Sequence, residues 1–130
     1  MKSVVLCGSG KFKEQMYAFA SALRGLGITV YTPFLYRNPE EWDKTPAHQQ
    51  RFIAMGLTHD HFYKIRQADV VFIYNEGGYI GNSTTMEIGF SVACHKPIYA
   101  LAPDTQELFR DVLFRDIVQK PEALRDILAA

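Results

Sequence analysis

The stretch that decides the fold is Asp69–Tyr74, DVVFIY, which is the strongest strand signal in the chain. Its apolar run is continuous rather than alternating, as is typical of a strand that is buried on both faces of a sheet. Ser3–Cys7, SVVLC, has the same character and ends at the tight turn Gly8-Ser9-Gly10. We therefore expect both strands to lie in the middle of a parallel sheet.

Helical patterns separate the strands along the chain. From Lys13 to Leu26 apolar residues recur at intervals of three and four, and Gly27 follows as a stop signal. Residues 33–46 predict a long ordered loop, and residues 46–55 predict a helix, with Thr58 capping a second one. The other predicted elements are strands at 28–31, 97–101 and 117–118, and helices at 83–94, about 106–113 and from Pro121 onwards.

The alternation of strands and helices predicts right-handed crossovers and a parallel sheet between two helical layers. We expect one α/β domain over residues 1–130, with five strands in the flavodoxin-like order 2-1-3-4-5. In that order the chain reverses direction between strands 1 and 3, and ligands bind outside the C-terminal ends of those strands. The glycine-rich turns at residues 8–10 and 77–81 both fall at this crevice.

Composition limits the classes of partner. Fourteen Lys and Arg residues balance fourteen Asp and Glu residues, so the charge predicts no attraction to nucleic acid or to an anionic membrane. No apolar run reaches the roughly 18 residues that span a bilayer, and the start of the chain is too short for a secretory signal, so we expect a cytoplasmic protein. Cys7 and Cys94 lack metal spacing, and we interpret both as small buried thiols.

The crevice carries the candidate binding groups. Glycines let the backbone approach a ligand, and hydroxyl groups at a helix N-terminus suit a phosphate or a sugar. Glycines also serve the tight turns of any such fold, so a purely structural role stays open. The candidate substrate-binding residues are Gly8, Ser9, Gly10 and Phe12 in the first loop, and Tyr79, Gly81, Asn82, Ser83 and Thr84 in the second.

Glu87 is the candidate nucleophile. We expect it in the first turn of the helix after strand 3, where the helix macrodipole favours the ionised carboxylate and lowers its pKa. An ionised carboxylate can capture the anomeric carbon of a sugar in retaining glycosyl transfer. The alternative is a capping box, because Thr84-x-x-Glu87 is the pattern in which a glutamate bonds the N-cap backbone.

Four motifs extend over nearly the whole chain: Gly8-Ser9-Gly10-Lys11-Phe12, Ala68-Asp69-Val70-Val71-Phe72, Met86-Glu87-Ile88-Gly89-Phe90 and His95-Lys96-Pro97-Ile98. Together they resemble the nucleoside 2-deoxyribosyltransferase superfamily, which includes the deoxynucleoside 5′-monophosphate N-glycosidases. The resemblance implies a flavodoxin-like fold, a nucleoside or nucleotide ligand, no metal or other cofactor, and Glu87 as the catalytic nucleophile. It also implies a homodimer or larger homo-oligomer, because members of the superfamily commonly complete their sites across a subunit interface.

The sequence departs from that superfamily at the groups that handle the base. The superfamily has an aspartate eight residues before the position of Asp69, and this chain has His61 there, beside Asp60. We therefore take His61 and Asp60 as candidate acid or base catalysts, with a surface or packing role for the histidine as the alternative. The run His59-Asp60-His61 is too compact for a metal site without a third ligand.

Two further departures concern the surroundings of the glutamate. The superfamily's orienting tyrosine in strand 1 corresponds to Leu6 or Val5, and Tyr79 is a candidate substitute from the second loop. Its acidic residue six positions before the glutamate corresponds to Gly81. The aromatic residues of the turns and the long loop, which can stack on a base or cover the sheet edge, are Phe12, Phe34, Tyr36, Trp42 and Tyr79.

Three hypotheses of function follow. The first is an enzyme that cleaves or exchanges the N-glycosidic bond of a nucleoside or nucleoside 5′-monophosphate. The second is a nucleotide-binding or sensing module of the same fold that has lost turnover. The third is similarity to the phosphoribohydrolases that activate cytokinins, and it fits less well because the loop from Gly77 to Thr84 carries extra residues between its glycines and its threonine.

Overall fold

A five-stranded parallel sheet is the centre of the computed structural model, which describes residues 1–35 and 39–130. The strands are β1 (Val4–Cys7), β2 (Val30–Tyr31), β3 (Val70–Ile73), β4 (Ile98–Ala100) and β5 (Asp116–Ile117). The helices are α1 (Lys13–Gly25), α2 (Pro39–Lys44), α3 (Ala47–Gln67), α4 (Asn82–Ala93), α5 (Leu108–Asp111) and α6 (Pro121–Ala129). The order across the sheet is β2-β1-β3-β4-β5, so the predicted flavodoxin-like α/β fold is confirmed. Within the described ranges, no helix is both long enough and apolar enough to cross a membrane.

The sheet separates two cores, and the side chains of β1 enter both. Strand β1 pairs with β2 and β3, so that Val4 lies opposite both Val30 and Val70. Because side chains alternate along a strand, Leu6 packs with α1 and α6 on one face of the sheet, whereas Cys7 packs on the other face with α3 and α4. Cys7 is also the last residue of β1. Its thiol therefore lies at the C-terminal edge of the sheet, on the α3 and α4 side.

Helix α3 is one continuous helix of 21 residues, so the predicted break before Thr58 is wrong. Gly56 costs about 1 kcal/mol of helix propensity, but the buried side chains of His61 and Ile65 hold the helix on the sheet, and tertiary packing dominates helix stability. Part of the predicted loop at 33–46 is also helical, as α2. Tyr36, a candidate for stacking on a base, lies outside the described residues.

A buried carboxylate holds the segment after β4 in place. Asp104 accepts hydrogen bonds from the backbone N–H groups of Gln106 (3.0 Å) and Glu107 (3.1 Å), and from the guanidinium of Arg110. Arg110 also donates to Oγ1 of Thr85 on α4, at 2.8 Å. Burial alone would raise the pKa of Asp104, but these hydrogen bonds and the charge of Arg110 outweigh burial and lower it. The segment is thereby tied to the helix that carries Glu87.

We expect Asp104→Asn to lower the free energy of unfolding at pH 7 by about 1–3 kcal/mol, because an amide replaces a charged acceptor. Since the pKa of Asp104 is lowered by folding, its contribution is complete above the unfolded pKa of about 3.9 and is lost as the pH falls through the folded value. Urea unfolding at pH 7 and pH 2 should show the difference from wild type shrinking at low pH. The exposed Asp126→Asn is the control, and an equal deficit at both pH values would contradict this account.

Candidate active site

Glu87 lies on the face of α4 that packs towards α3. The helix begins at Asn82 behind an N-cap, Gly81, that makes no side-chain capping bond, so Glu87 lies in the second turn rather than the predicted first. The alternative of a capping box with Thr84 is therefore wrong, because Thr84 is itself inside the helix and buried. One oxygen of the Glu87 carboxylate, Oε2, lies 3.7 Å from Nε2 of His61.

Burial controls the charge of Glu87. The side chain is only 14% exposed, and this desolvation raises its pKa to about 8. The predicted lowering by the helix macrodipole is wrong, because the macrodipole acts mainly within the first turn, and the carboxylate belongs to the second. A carboxyl group with a raised pKa on the wall of a cavity is a candidate functional group.

His61 is buried between β1 and α4. Its Nε2 lies 3.2 Å from the thiol sulfur of Cys7 and 3.7 Å from the carboxylate of Glu87. Burial, reinforced by the nearby charge of Lys64, lowers the pKa of His61 to about 4, although Asp60 opposes the shift. The other ring nitrogen, Nδ1, has no hydrogen-bond partner among the described residues. Near neutral pH the histidine is therefore uncharged, and its Nε2 faces a protonated glutamate.

The structure separates the two predicted acid or base candidates. Asp60 is half exposed on the outside of α3, where it pairs with Nζ of Lys64 at 2.7 Å, and Lys64 also donates to the backbone oxygen of Thr32. It does not line the cavity at Glu87. The residue that does join His61 and Glu87 is Cys7, for which the sequence predicts only a small buried thiol. The period-two alternation of β1 was the available signal, because it directs Cys7 and Val5 to the same face.

The superfamily's orienting tyrosine has no direct substitute at the predicted positions. Leu6 points into the opposite core, against α1 and α6, and Val5 packs into the apolar core beneath α3 and α4. Burial, together with the nearby charge of Glu87, raises the pKa of the Cys7 thiol well above its usual range. The side chain from β1 nearest to the catalytic candidates is therefore a neutral thiol.

The carboxylate of Glu87 borders a cavity of about 180 Å³. His61 and Ser83 also line it, so the structure brings together three of the predicted site residues. A second cavity of about 420 Å³ shares part of this lining and is also lined by Trp42. The residues that line both are Leu57, Thr58 and Ser83. A larger cavity of about 560 Å³ lies further along α3 and has neither Glu87 nor His61 in its lining.

The aromatic candidates of the glycine loops pack against one another. Phe12 is buried, and its ring lies edge-on to those of Tyr74 and Tyr79, with centroids 6.1 Å apart in both cases. Nζ of Lys11 lies 4.3 Å from the centroid of the Tyr79 ring. Among the described residues, Tyr79 makes no hydrogen bond to Glu87. This group covers the sheet edge beside the cavity rather than lining it.

The remaining candidates lie in the glycine-rich turns and at the start of α4. Oγ of Ser9 accepts from the backbone N–H of Lys11 at 3.2 Å. A Cβ atom on Gly8 would lie 2.8 Å from the carbonyl oxygen of Tyr74, so the backbone just after β3 leaves no room for a side chain there, whereas Gly10 faces open space. The predicted residues that lie at these turns or at the start of α4 without lining the cavity of Glu87 are Gly8, Ser9, Gly10, Gly81, Asn82 and Thr84.

The chain matches one known protein family over most of its length. The family model described as Nucleoside 2-deoxyribosyltransferase matches residues 5–124. No curated protein matches the chain significantly.

Several solved structures share the fold. A conserved protein from Enterococcus faecalis V583 has 18% sequence identity and a TM-score of 0.69, over 99% of this chain and 98% of its own. A 2-deoxyribosyltransferase from Bacillus psychrosaccharolyticus has 20% identity and a TM-score of 0.63, over 95% and 90% of the two chains. A CMP N-glycosidase from Clostridium botulinum has 19% identity and a TM-score of 0.51, over 98% and 100%. At such identities these likenesses establish a common fold.

Proposed function

Since the chain belongs to the nucleoside 2-deoxyribosyltransferase family, we propose that it cleaves or transfers the N-glycosidic bond of a nucleoside or nucleoside 5′-monophosphate, with Glu87 as the nucleophile. The observation that carries this proposal is the position of the Glu87 carboxylate, on the wall of a cavity and 3.7 Å from His61. Keeping a carboxyl group buried without a cationic partner costs free energy. Such a cost is common where the group has a chemical task.

The first chemical step forms a bond between Glu87 and the sugar. An oxygen of Glu87 attacks the anomeric carbon, and the bond from that carbon to the base breaks with its electron pair on the base nitrogen. The carboxyl gives up its proton only as the base departs, because its pKa of about 8 lies above the value of about 4 at His61, and Nε2 of His61, 3.7 Å away, is the group placed to relay it. His61 then delivers this proton to the departing base. One proton thus activates the nucleophile and neutralises the leaving group.

The second step releases the sugar from Glu87. Water, or a second base, attacks the anomeric carbon of the glycosyl ester, and the carboxylate of Glu87 leaves. The proton of the attacking group returns to the pair formed by His61 and Glu87. The enzyme is then restored with the same number of protons as before. Water as acceptor makes the reaction a hydrolysis, and a base makes it a transfer.

The two adjoining cavities suit the two halves of a nucleoside. The 180 Å³ cavity at Glu87 receives the sugar, and the 420 Å³ cavity bounded by Trp42 receives the base. Ser83 lines both cavities, so its hydroxyl is placed to hold a sugar hydroxyl or a 5′-phosphate, with Asn82 beside it at the start of α4. Homo-oligomeric assembly and a cytoplasmic location remain predictions.

The test is a panel of purine and pyrimidine deoxynucleosides, ribonucleosides and their 5′-monophosphates, with free base measured after incubation with the protein. We expect release of base from at least one member of the panel and loss of that release in Glu87→Ala. Inclusion of a second free base as acceptor distinguishes transfer from hydrolysis. If no member of the panel reacts, or if Glu87→Ala reacts as the wild type does, the proposal is wrong.

A nucleotide-binding module without turnover is the second candidate. The raised pKa of Glu87 favours it, because a protonated carboxyl is not a nucleophile. Stabilisation of the protein against heat by nucleotides, without release of base across the panel, would support this candidate over the first. Activity confined to ribonucleoside monophosphates would instead favour a phosphoribohydrolase.

We expect His61→Gln to lower kcat for an ordinary purine nucleoside about a hundredfold, because the variant cannot protonate the leaving base. An N7-methylated purine already carries a positive charge and leaves without a proton, so the same variant should lose much less activity on that substrate. Asp60→Asn, one residue away but directed to Lys64, should change neither rate by more than about twofold. Equal losses on both substrates would show that His61 does not protonate the leaving base.

A further inference from the structure

Three side chains from three separate elements meet beside the cavity of Glu87. Cys7 comes from the end of β1, His61 from the middle of α3 and Glu87 from the second turn of α4. The distance from Sγ of Cys7 to Nε2 of His61 is 3.2 Å, and that from Nε2 to Oε2 of Glu87 is 3.7 Å. The three atoms all lie within 4.8 Å of one another. Over residues 1–35 and 39–130, this is the one group of three His, Cys, Asp or Glu side chains in such an arrangement.

The set of donor atoms is one that zinc prefers. Zn²⁺ binds thiolate sulfur at about 2.3 Å and imidazole nitrogen or carboxylate oxygen at about 2.0–2.2 Å in a tetrahedron, which separates neighbouring ligand atoms by about 3.5 Å. The distances of 3.2 Å and 3.7 Å lie on either side of that value, and the third pair of ligand atoms, Sγ of Cys7 and the carboxylate oxygen of Glu87, lies within 4.8 Å. Mg²⁺ and Ca²⁺ select oxygen ligands instead. The chemistry therefore points to a borderline-soft cation.

We propose that Cys7, His61 and Glu87 form a Zn²⁺ site whose occupation blocks the nucleophile. The ion binds Sγ, Nε2 and a carboxylate oxygen, and the protons of the Cys7 thiol and of the Glu87 carboxyl group pass to solvent. Three protein ligands leave the fourth tetrahedral position for water. Nδ1 of the histidine then keeps the ring proton, as a neutral imidazole ligand requires.

The proposed inhibition follows from competition for the same atoms. A carboxylate oxygen that donates to Zn²⁺ is no longer available to attack an anomeric carbon, and Nε2 of His61 can no longer accept a proton. The inhibitory part of the proposal rests on the proposed function. The binding part does not, because it depends only on the geometry of the three side chains.

Binding is tested by titration of the metal-free protein with Co²⁺, which takes the coordination geometry of Zn²⁺ and absorbs light when a thiolate binds it. We expect a thiolate-to-cobalt charge-transfer band that saturates at one ion per chain and disappears when Zn²⁺ is added. Cys7→Ser should lose the band and lower the affinity for Zn²⁺ by about a hundredfold or more, since it removes a direct ligand. Cys94→Ser is the matched control, because Cys94 lies at the far end of α4, and it should keep both.

The outcomes separate the two proposals. Absence of the band in the wild-type protein, or an equal band in Cys7→Ser, would overturn the zinc site whether or not the protein releases base. If base release is found, Zn²⁺ should inhibit it and a chelator should restore it, with the Cys94→Ser protein behaving in the same way. If Zn²⁺ binds to an active protein without inhibiting it, the proposed inhibition is wrong. Mg²⁺ should neither displace Co²⁺ from the site nor inhibit the release of base.

Discussion

Glu87→Gln is expected to reduce the release of free base by about a thousandfold or more on whichever substrate the wild type accepts best. The glutamine amide has nearly the same shape as the carboxyl, but it cannot form the glycosyl ester on which the proposed route depends. Single-turnover kinetics measures the loss. Mass spectrometry of the quenched wild-type reaction should in addition detect the glycosyl-enzyme, and the variant should give no such species.

The same substitution should not unfold the protein. Burial raises the pKa of Glu87 to about 8, so the folded wild type holds a proton that the unfolded chain releases above about pH 4.3. The stability of the wild type therefore contains a term that falls as the pH rises from about 4.3 to about 8. Glutamine has no such term. We expect the variant to gain stability relative to wild type between pH 5 and pH 8, as judged by urea unfolding.

Glu122→Gln is the matched control for this experiment, because Glu122 is an exposed residue in the first turn of α6. It should leave both base release and the pH dependence of stability unchanged. Residual activity of Glu87→Gln within tenfold of the wild type would remove Glu87 as the nucleophile. A variant that unfolds at every pH would instead show that the carboxyl group is structural.

Gly78→Ala is the substitution from which we expect the largest loss of stability, about 3 kcal/mol. Gly78 has φ of +85°, a conformation that costs an L-residue about 1–2 kcal/mol. A Cβ atom there would also lie 2.8 Å from the backbone oxygen of Pro103 and 2.8 Å from Oγ1 of Thr105, and such overpacking costs about 1–3 kcal/mol more. Urea unfolding at pH 7 measures the loss.

Gly77 offers a control in the adjacent residue. Its φ of +65° is also positive, but a Cβ atom there would meet nothing within 4 Å. Gly77→Ala should therefore lose only the conformational part, about 1 kcal/mol. If the two variants had the same free energy of unfolding, the close approach of the added Cβ atom at Gly78 to Pro103 and Thr105 would have no effect on stability.

The strands and their order could be predicted because their signals are local. The apolar runs of β1 and β3 mark two-faced strands, and alternation with helices implies the parallel order. The same logic placed Glu87 in the helix after β3. Every predicted strand was located within two residues of its observed bounds.

The chemistry around Glu87 could not be predicted in the same way, because it depends on packing between distant segments. His61 and Cys7 are 54 residues apart, and no local pattern pairs them. The pKa of Glu87 was assigned from its helix position, whereas burial by neighbouring elements decides it. The continuity of α3 through Gly56 could not be predicted either, because the contacts of its buried side chains outweigh the low helix propensity of glycine.

The division of side chains by β1 has a practical consequence for protein engineering. The face that packs with α1 and α6 is built from apolar side chains such as Leu6, Met16 and Leu124, whereas Cys7, His61 and Glu87 all lie on the opposite side. Substitutions that repack the first face should raise or lower thermal tolerance while leaving catalytic parameters alone. A stabilised scaffold can therefore be made first, and the substrate range altered afterwards by changes confined to α3 and α4.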